Sequence, residues 1–186
     1  MSVTVGPIVC TNDCEFEIPA VSFASCNPEI NLSQIAKIYL AQPDAANFTA
    51  WDEATEWVTR ISDSATDANS IRPITVVGEK PLPSVTEKTI SGNRIVPTDK
   101  KHVINFEIDE SNATNHEFAR GGKCVKQVKF WYETIGGLLF GGNTGIDGTF
   151  AIDMSLPKGE GDIIVYPGSL KWSSTNLEER CTSPIA

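Results

Sequence analysis

Hydrophobic and polar residues alternate most regularly in the segment HVINFEID, residues 102–109. Ile104, Phe106 and Ile108 fall on one face of an extended chain, with polar residues between them. A period of two is typical of a strand that buries one face. The segment therefore predicts a strand of a β-sheet.

The same alternation recurs along most of the chain. In CVKQVKFWYET, Val128, Phe130 and Tyr132 alternate with Lys129, Trp131 and Glu133. Further short segments rich in β-branched and aromatic residues are separated by Gly and Pro turns. They predict strands at residues 15–21, 34–41, 74–77, 85–90, 148–156 and 161–172.

A different period marks the segment NFTAWDEATEWVTRIS. Trp51, Ala54, Val58 and Ile61 form one stripe at helical spacing. Thr49 followed by Asp52 resembles a capping box, so a helix is predicted at about residues 49–61. We expect Trp51 and Val58 to pack it on the sheet.

A second, shorter helix is predicted between two strands, in the segment ATNHEFARGG. Thr114 and Glu117 have the spacing of a capping box, and Gly121 is suited to end a helix. The expected helix covers about residues 114–120.

These elements together predict a mainly β fold, an antiparallel sandwich or barrel with one amphipathic helix and one short inserted helix. Strand follows strand without the β–α–β rhythm of a parallel sheet. The whole chain, 1–186, is interpreted as one β-rich domain. Within it, 1–48 forms N-terminal strands or an arm, 49–70 the helix and a polar loop, and 71–186 the main sheet.

The glycine-rich segment KFWYETIGGLLFGG could be a phosphate loop, an exposed platform or a turn between strands. A phosphate loop leads into a helix, and none is predicted here. We therefore expect a hairpin in which Gly136 or Gly137 adopts a positive φ. Residues 141–145 are expected to form another turn.

Composition limits the classes of function. The formal charge of −9 argues against binding nucleic acid through phosphate neutralisation. The longest apolar runs are far shorter than the roughly 20 residues that span a bilayer, so no membrane partner is expected. The first residues show no basic segment followed by an apolar one, and we expect no signal peptide.

Candidate chemistry is sparse. Five cysteines (Cys10, Cys14, Cys26, Cys124 and Cys181) lack the second half of a zinc motif, and are interpreted as buried thiols. The two histidines, His102 and His116, stand in separate elements. Asp109, Glu110 and Glu117 are interpreted as residues at element ends rather than as catalytic groups or calcium ligands. No catalytic, cofactor-binding or metal-ligating residue is predicted, no cofactor is expected, and the protein is expected not to be an enzyme.

Three segments, TEKTISGNR, KKHVINFEIDESNATNHEFAR and FWYETIGGLLFGGNTGI, give the chain a resemblance to a protein family. From residue 72 to 186, the sequence resembles the tail-tube-like structural proteins of long-tailed bacteriophages that infect Bacteroidetes-type bacteria. The resemblance implies a virion protein, assembled in the host cytoplasm, whose copies stack as rings or a tube together with other virion proteins. It also implies an acidic lumen through which DNA passes without sticking, and no catalytic residues.

Two other functions fit the same pattern of strands. One is a capsid decoration or ring protein, and the other is a monomeric β-sandwich module that binds a ligand or glycan through Trp131 and Tyr132. If copies assemble, residues 62–70 and 78–94 are the expected contact segments. Because the subunit is acidic, added salt is expected to screen repulsion and to promote oligomers.

Overall fold

The computed structural model describes residues 30–62, 67–122 and 127–185. The predicted strand at 15–21 and the cysteines Cys10, Cys14, Cys26 and Cys124 lie outside the described residues. By its internal contacts, the chain divides into Met1–Ile30 and Asn31–Ala186. All helices and strands of the described residues lie in the second unit.

The fold is mainly β, with 46% of the described residues in strands, as the sequence predicts. The described residues contain nine strands and two helices. In chain order they are β1 (Ile35–Ala41), α1 (Ala54–Ser62), β2 (Arg72–Glu79), β3 (Ser84–Ile90), β4 (Arg94–Ile108), α2 (Ala113–Gly122), β5 (Gln127–Thr134), β6 (Leu138–Phe140), β7 (Ile146–Ile152), β8 (Tyr166–Ser173) and β9 (Arg180–Thr182).

Six strands close into an antiparallel barrel in the order β1-β2-β4-β8-β7-β5. Pairing of β1 with β5 closes the ring, with Ile38 opposite Tyr132 and Leu40 opposite Phe130. Closure satisfies backbone groups that an open sheet would leave at its edges. β6 continues from β5 and carries β9, whereas β3 pairs with β4. Because β1 belongs to the barrel, the sheet begins within the zone 1–48.

The barrel interior is filled by the inward-facing side chains of its strands. Ile104, Phe106 and Ile108 are all buried, as their alternation predicts. Burial of so many apolar side chains is the main force that stabilises a fold of this size. The cluster consists of Ile35, Ile38, Leu40, Val76, Ile104, Phe106, Ile108, Ala119, Val128, Phe130, Tyr132, Ile146, Phe150, Ile152, Tyr166, Leu170 and Trp172.

A second apolar cluster covers the outer face of β1 and β5. Its members include Tyr39 and Trp131, which alternate with the inward-facing residues of the same strands. From residue 128 to 134, β5 is therefore buried on both faces. The alternation in CVKQVKFWYET is real, but it separates two cores rather than a core from solvent.

The helix α1 packs on this second cluster through Trp57, which is fully buried. The indole ring stacks on Phe48 at 4.4 Å between centroids and meets Trp131 edge-on at 5.4 Å. Its Nε1 donates a hydrogen bond to the Trp51 carbonyl at 2.7 Å. One tryptophan thus joins the helix, the segment before it and β5.

The predicted helix at 49–61 is correct from Ala54 onward and wrong before it. Thr49 does not cap the helix, and its amide donates to Oε2 of Glu56 at 2.9 Å instead. Trp51 is buried, but Val58 is 58% exposed, so the predicted packing role of Val58 is wrong. Because the helix starts five residues later than predicted, its buried face is turned towards Trp57 and Ile61.

The short inserted helix is present as α2, slightly longer than predicted. Its cap is Asn112 rather than Thr114, because Asn112 Oδ1 accepts the Asn115 amide at 2.8 Å. Gly121 does not end the helix, which continues to Gly122. Phe118 meets Phe150 edge-on at 5.9 Å between ring centroids, which packs α2 on the barrel core.

The glycine-rich segment is a hairpin between β5 and β6, with Tyr132 opposite Phe140. Gly137 has a φ of 77°, which confirms the expected left-handed residue at this turn. The following turn, residues 141–145, supports the second cluster. Its Gly142 carbonyl accepts Trp131 Nε1 at 2.8 Å, and its Asn143 carbonyl accepts the Phe48 amide at 2.8 Å.

Candidate functional site

The strand β3 and the first half of β4 form a hairpin that extends from the barrel. Ser84 pairs with Lys101 at its base and Ile90 with Arg94 at its tip. β8 pairs with β4 only from Lys101 onward. Residues 84–101 are called the arm. Residues 84–94 of the arm lie in the segment 78–94 that is predicted from the sequence to make contacts, and the rest of the arm continues along β4 to Lys101.

The arm exposes apolar side chains that most strands would bury. All seven residues of β3 are exposed. Ile95 on the paired strand is 62% exposed, and Val85 is 48% exposed. Leu82, just before the arm, is 94% exposed. Exposed apolar side chains grouped on an unsupported strand pair mark a surface that another molecule can cover.

The arm also differs from the rest of the chain in charge. It carries four basic residues and two acidic ones, a net charge of +2. Since the whole chain carries −9, the remaining residues carry −11. The basic residues are Lys88, Arg94, Lys100 and Lys101, and the acidic ones are Glu87 and Asp99.

A cluster of largely buried ionisable side chains lies where the arm joins the barrel. Lys80 precedes the arm, His102 follows it, and Glu178 lies in the loop at residues 174–179 after β8. The Lys80 ammonium is 2.6 Å from Oε2 of Glu178. Nδ1 of His102 is 3.8 Å from Oε1 of the same carboxylate. One acidic side chain therefore contacts both the segment that leads into the arm and the segment that leads out of it.

Aromatic rings enclose the Lys80 ammonium. Its Nζ lies 5.4 Å from the centroid of the Trp172 ring and 5.8 Å from that of Tyr132. It also lies 3.4 Å from the Tyr132 hydroxyl. A cation is attracted to the faces of such rings, and more strongly when water is excluded. The rings and Glu178 together hold this lysine in a site suited to an ammonium ion.

The histidine is held in a defined orientation. Its ring stacks on Trp172, with centroids 5.1 Å apart, and its Nε2 is 3.1 Å from the Ser174 carbonyl. A carbonyl only accepts, so Nε2 carries a hydrogen. In the neutral ring, Nδ1 then directs a lone pair towards Glu178. Nδ1 of His102, Oε1 of Glu178 and Nε1 of Trp172 are buried without a hydrogen-bond partner.

Tyr132 contributes a hydroxyl rather than a reactive phenolate. Burial raises the pKa of Tyr132 well above its usual value, and the Glu178 carboxylate raises it further. The hydroxyl is therefore neutral at physiological pH. Beside it, a cavity of about 620 Å³ is lined in part by Lys80, Glu178, Phe140 and Leu177.

Other residues weighed from the sequence have structural positions. Glu117 pairs with Arg120 at 3.2 Å on the exposed face of α2, and the Glu110 carbonyl accepts a hydrogen bond from Asn115. His116 lies on α2, with Nδ1 3.4 Å from the Tyr166 hydroxyl. Within residues 30–62, 67–122 and 127–185, no three His, Cys, Asp or Glu side chains are grouped to hold a metal ion.

Trp131 and Tyr132 do not form the exposed surface through which the binding-module alternative would hold a ligand or glycan. Trp131 has no exposed surface and Tyr132 is 3% exposed, because they face the two cores on either side of β5. Cys181 is partly buried against the second cluster. Burial raises the pKa of its thiol, and Asp52 raises it further, so it behaves as a small apolar side chain.

The sequence could have revealed one member of the buried cluster. His102 stands two residues before Ile104, so it occupies an inward-facing position in the alternating strand. An ionisable residue at such a position needs a buried partner. Lys80 and Glu178 lie in connections without periodicity, and no pattern of the chain brings them together.

The comparisons with known proteins add no relative. No protein-family model matches the chain, and no curated protein matches it significantly. Among the described residues, no helix has the length and apolar character required to cross a membrane.

Proposed function

We propose that the chain is a non-enzymatic structural protein of a bacteriophage virion, of the tail-tube type, whose copies assemble into rings or a tube. Assembly would take place in the host cytoplasm and include contacts with other virion proteins. The observation that carries the proposal is the arm. It exposes Val85, Ile90 and Ile95 in a subunit whose own barrel is complete without them.

The partner of the arm in this proposal is a second copy of the chain. The net charge of +2 on the arm complements the −11 on the remaining residues. Opposite charges favour encounter and orient the partners, while burial of the apolar side chains supplies affinity. The free edge of β3 adds backbone groups that a neighbouring strand can pair with.

The proposal places the DNA-conducting lumen between subunits. The barrel interior is occupied by large buried side chains, including Phe106, Phe130 and Trp172, so a single barrel is not the channel. Acidic residues outside the arm would face that lumen, where like charge disfavours adsorption of the phosphate backbone.

The test compares assembly of the wild-type protein with that of a variant lacking the arm. Residues 85–100 are replaced by a short glycine-rich turn, because Ser84 and Lys101 are cross-strand partners and a short linker can join them. Size-exclusion chromatography and negative-stain microscopy are the measurements. We expect rings or tubes from the wild type and a folded monomer from the variant.

A milder pair of variants controls for the deletion. Val85→Ser/Ile95→Ser removes exposed apolar surface from the arm, whereas Leu156→Ser/Ile163→Ser removes it elsewhere. Only the first pair is expected to reduce assembly. A wild-type protein that stays monomeric at high concentration at every salt concentration would overturn the proposal.

A further inference from the structure

We propose that Glu178 is a positioning residue that clamps both ends of the arm to the barrel and thereby fixes the direction in which the arm extends. The clamp consists of Lys80, His102 and Glu178. Its effect on assembly rests on the proposed function, whereas the clamp itself is a property of the single subunit.

The three residues stand at the two connections between the arm and the barrel. Lys80 stands four residues before the arm, and His102 follows Lys101, the last arm residue. The arm also meets β8, where Lys101 pairs with Ser173 and the Ser174 amide donates to the Lys100 carbonyl at 3.1 Å. Contacts that hold the connections on both sides of the arm therefore restrict how far the arm can turn as a body.

Burial makes the Lys80–Glu178 contact of the clamp strong. The side chains of Glu178 and His102 are each 5% exposed, and that of Lys80 is 20% exposed. A surface ion pair contributes little, but removing one member of a buried pair leaves an unpaired charge at a high cost. The Lys80–Glu178 contact is a largely buried pair, so it holds the loop at residues 174–179 against the base of the arm.

Glu178 is the centre of the clamp. A single apolar contact would be enough to close this end of the barrel. The structure instead buries the Glu178 carboxylate 3.8 Å from the His102 imidazole. His102 contacts Glu178 from the loop, the Ser174 carbonyl and the neutral ring of Trp172 from β8. Lys80 contacts the same carboxylate, and its ammonium lies 3.4 Å from the Tyr132 hydroxyl. Glu178 is the one carboxylate among these groups, and it contacts both Lys80 and His102.

The test measures hydrogen exchange of the monomer by mass spectrometry, on protein isolated at low concentration. In Glu178→Ala, the β3 amides nearest the base, around residues 84–86, should exchange at least about tenfold faster. The amides of Ile104–Ile108 in the barrel should exchange as in the wild type. Glu179→Ala is the matched control, since Glu179 is adjacent, carries the same charge and is exposed.

A double-mutant cycle separates the clamp from general destabilisation. Lys80→Ala should loosen the base of the arm as Glu178→Ala does, and the double variant should be no worse than either single variant. Additive effects, or equal acceleration in the arm and barrel, would overturn the proposal. So would unchanged exchange at the base of the arm in Glu178→Ala.

The same variants distinguish the clamp from the proposed function. If both hold, Glu178→Ala loosens the arm and reduces ring or tube formation. If the clamp holds and the wild type never assembles, the arm still loosens in the monomer and only the proposed function fails.

Discussion

The hydroxyl of Tyr39 donates a hydrogen bond of 2.5 Å to Oε2 of Glu133, across the pair of strands that closes the barrel. Both residues are nearly inaccessible, at 2% and 4% exposure. The Lys37 ammonium lies 3.8 Å from Oε1 of the same carboxylate. A buried acid at the closing seam is therefore held by one hydroxyl and one cation.

This contact predicts a loss of stability at alkaline pH. Burial raises the pKa of Tyr39 above its usual value of about 10, and the bond to Glu133 raises it further. The stabilisation is fully present below pH 10 and is lost as pH rises, because the unfolded tyrosine releases its proton while the folded one keeps it. Through Tyr39 alone, the free energy of unfolding should fall by about 1.4 kcal/mol for each pH unit above pH 10.

Urea unfolding of Tyr39→Phe between pH 8 and pH 11 provides the comparison. At pH 8 the variant should lose about 1–3 kcal/mol, because a carboxylate oxygen is left without its donor. Above pH 10 the free energy of unfolding of the variant should fall less steeply with pH than that of the wild type, because the variant lacks one tyrosine that releases a proton on unfolding. Parallel slopes would contradict the buried contact.

Trp57 is expected to be the most costly residue of α1 to truncate. Trp57→Ala should lower the free energy of unfolding by roughly 3–5 kcal/mol, since it empties a fully buried site among Phe48, Tyr39 and Trp131. Val58→Ala, one position along and 58% exposed, should change it by less than about 0.5 kcal/mol. Chemical denaturation of both variants tests the register of the helix.

The hairpin glycine allows backbone strain to be separated from crowding. A Cβ at Gly137 would meet nothing within 4 Å, and the same is true of Gly161, but only Gly137 has a positive φ, of 77°. Gly137→Val should therefore destabilise the protein by more than about 1 kcal/mol, and Gly161→Val much less. Equal thermal melting midpoints for the two variants would contradict the left-handed turn.

The charge on the arm changes the salt dependence that the sequence predicts. If the arm docks on the acidic body of a second copy, added salt should weaken association rather than promote it. Lys88→Glu/Lys100→Glu should reduce assembly at low salt, because it reverses the arm's charge. Lys158→Glu/Lys171→Glu, which changes the total charge equally at exposed sites outside the arm, is the control. Sedimentation velocity over a range of salt concentrations distinguishes the two directions.

The fold class was predictable because it depends on alternation within single strands. Ile104, Phe106 and Ile108 show by their spacing which face of β4 is buried, and the structure agrees. Val58 shows the limit of the same reasoning. It fits a helical stripe that starts at Trp51, but hydrogen bonds from the amides of Thr49 and Trp51 to the side chains of Glu56 and Asn143 hold residues 49–51 outside the helix.

The buried cluster could not be predicted, because it depends on contacts between distant segments. Lys80 and Glu178 are 98 positions apart and lie in irregular connections. Their meeting follows from the pairing of β4 with both β2 and β8, which brings the end of β2 near the loop after β8. The exposure of the arm could not be predicted either, because Val85 and Ile90 belong to a segment with the composition of an ordinary strand.

The closing seam also implies an order of folding. Tyr39 and Glu133 are 94 positions apart, so pairing β1 with β5 requires closure of a long loop, which is slow. The arm is instead a local hairpin, with Ile90 and Arg94 joined by a turn in which Gly92 and Asn93 have positive φ. We expect the hairpin to form early and the barrel late. The apolar surface of the arm would then be exposed on a chain that still lacks a folded body, so aggregation during refolding should depend on the arm more than on any other segment.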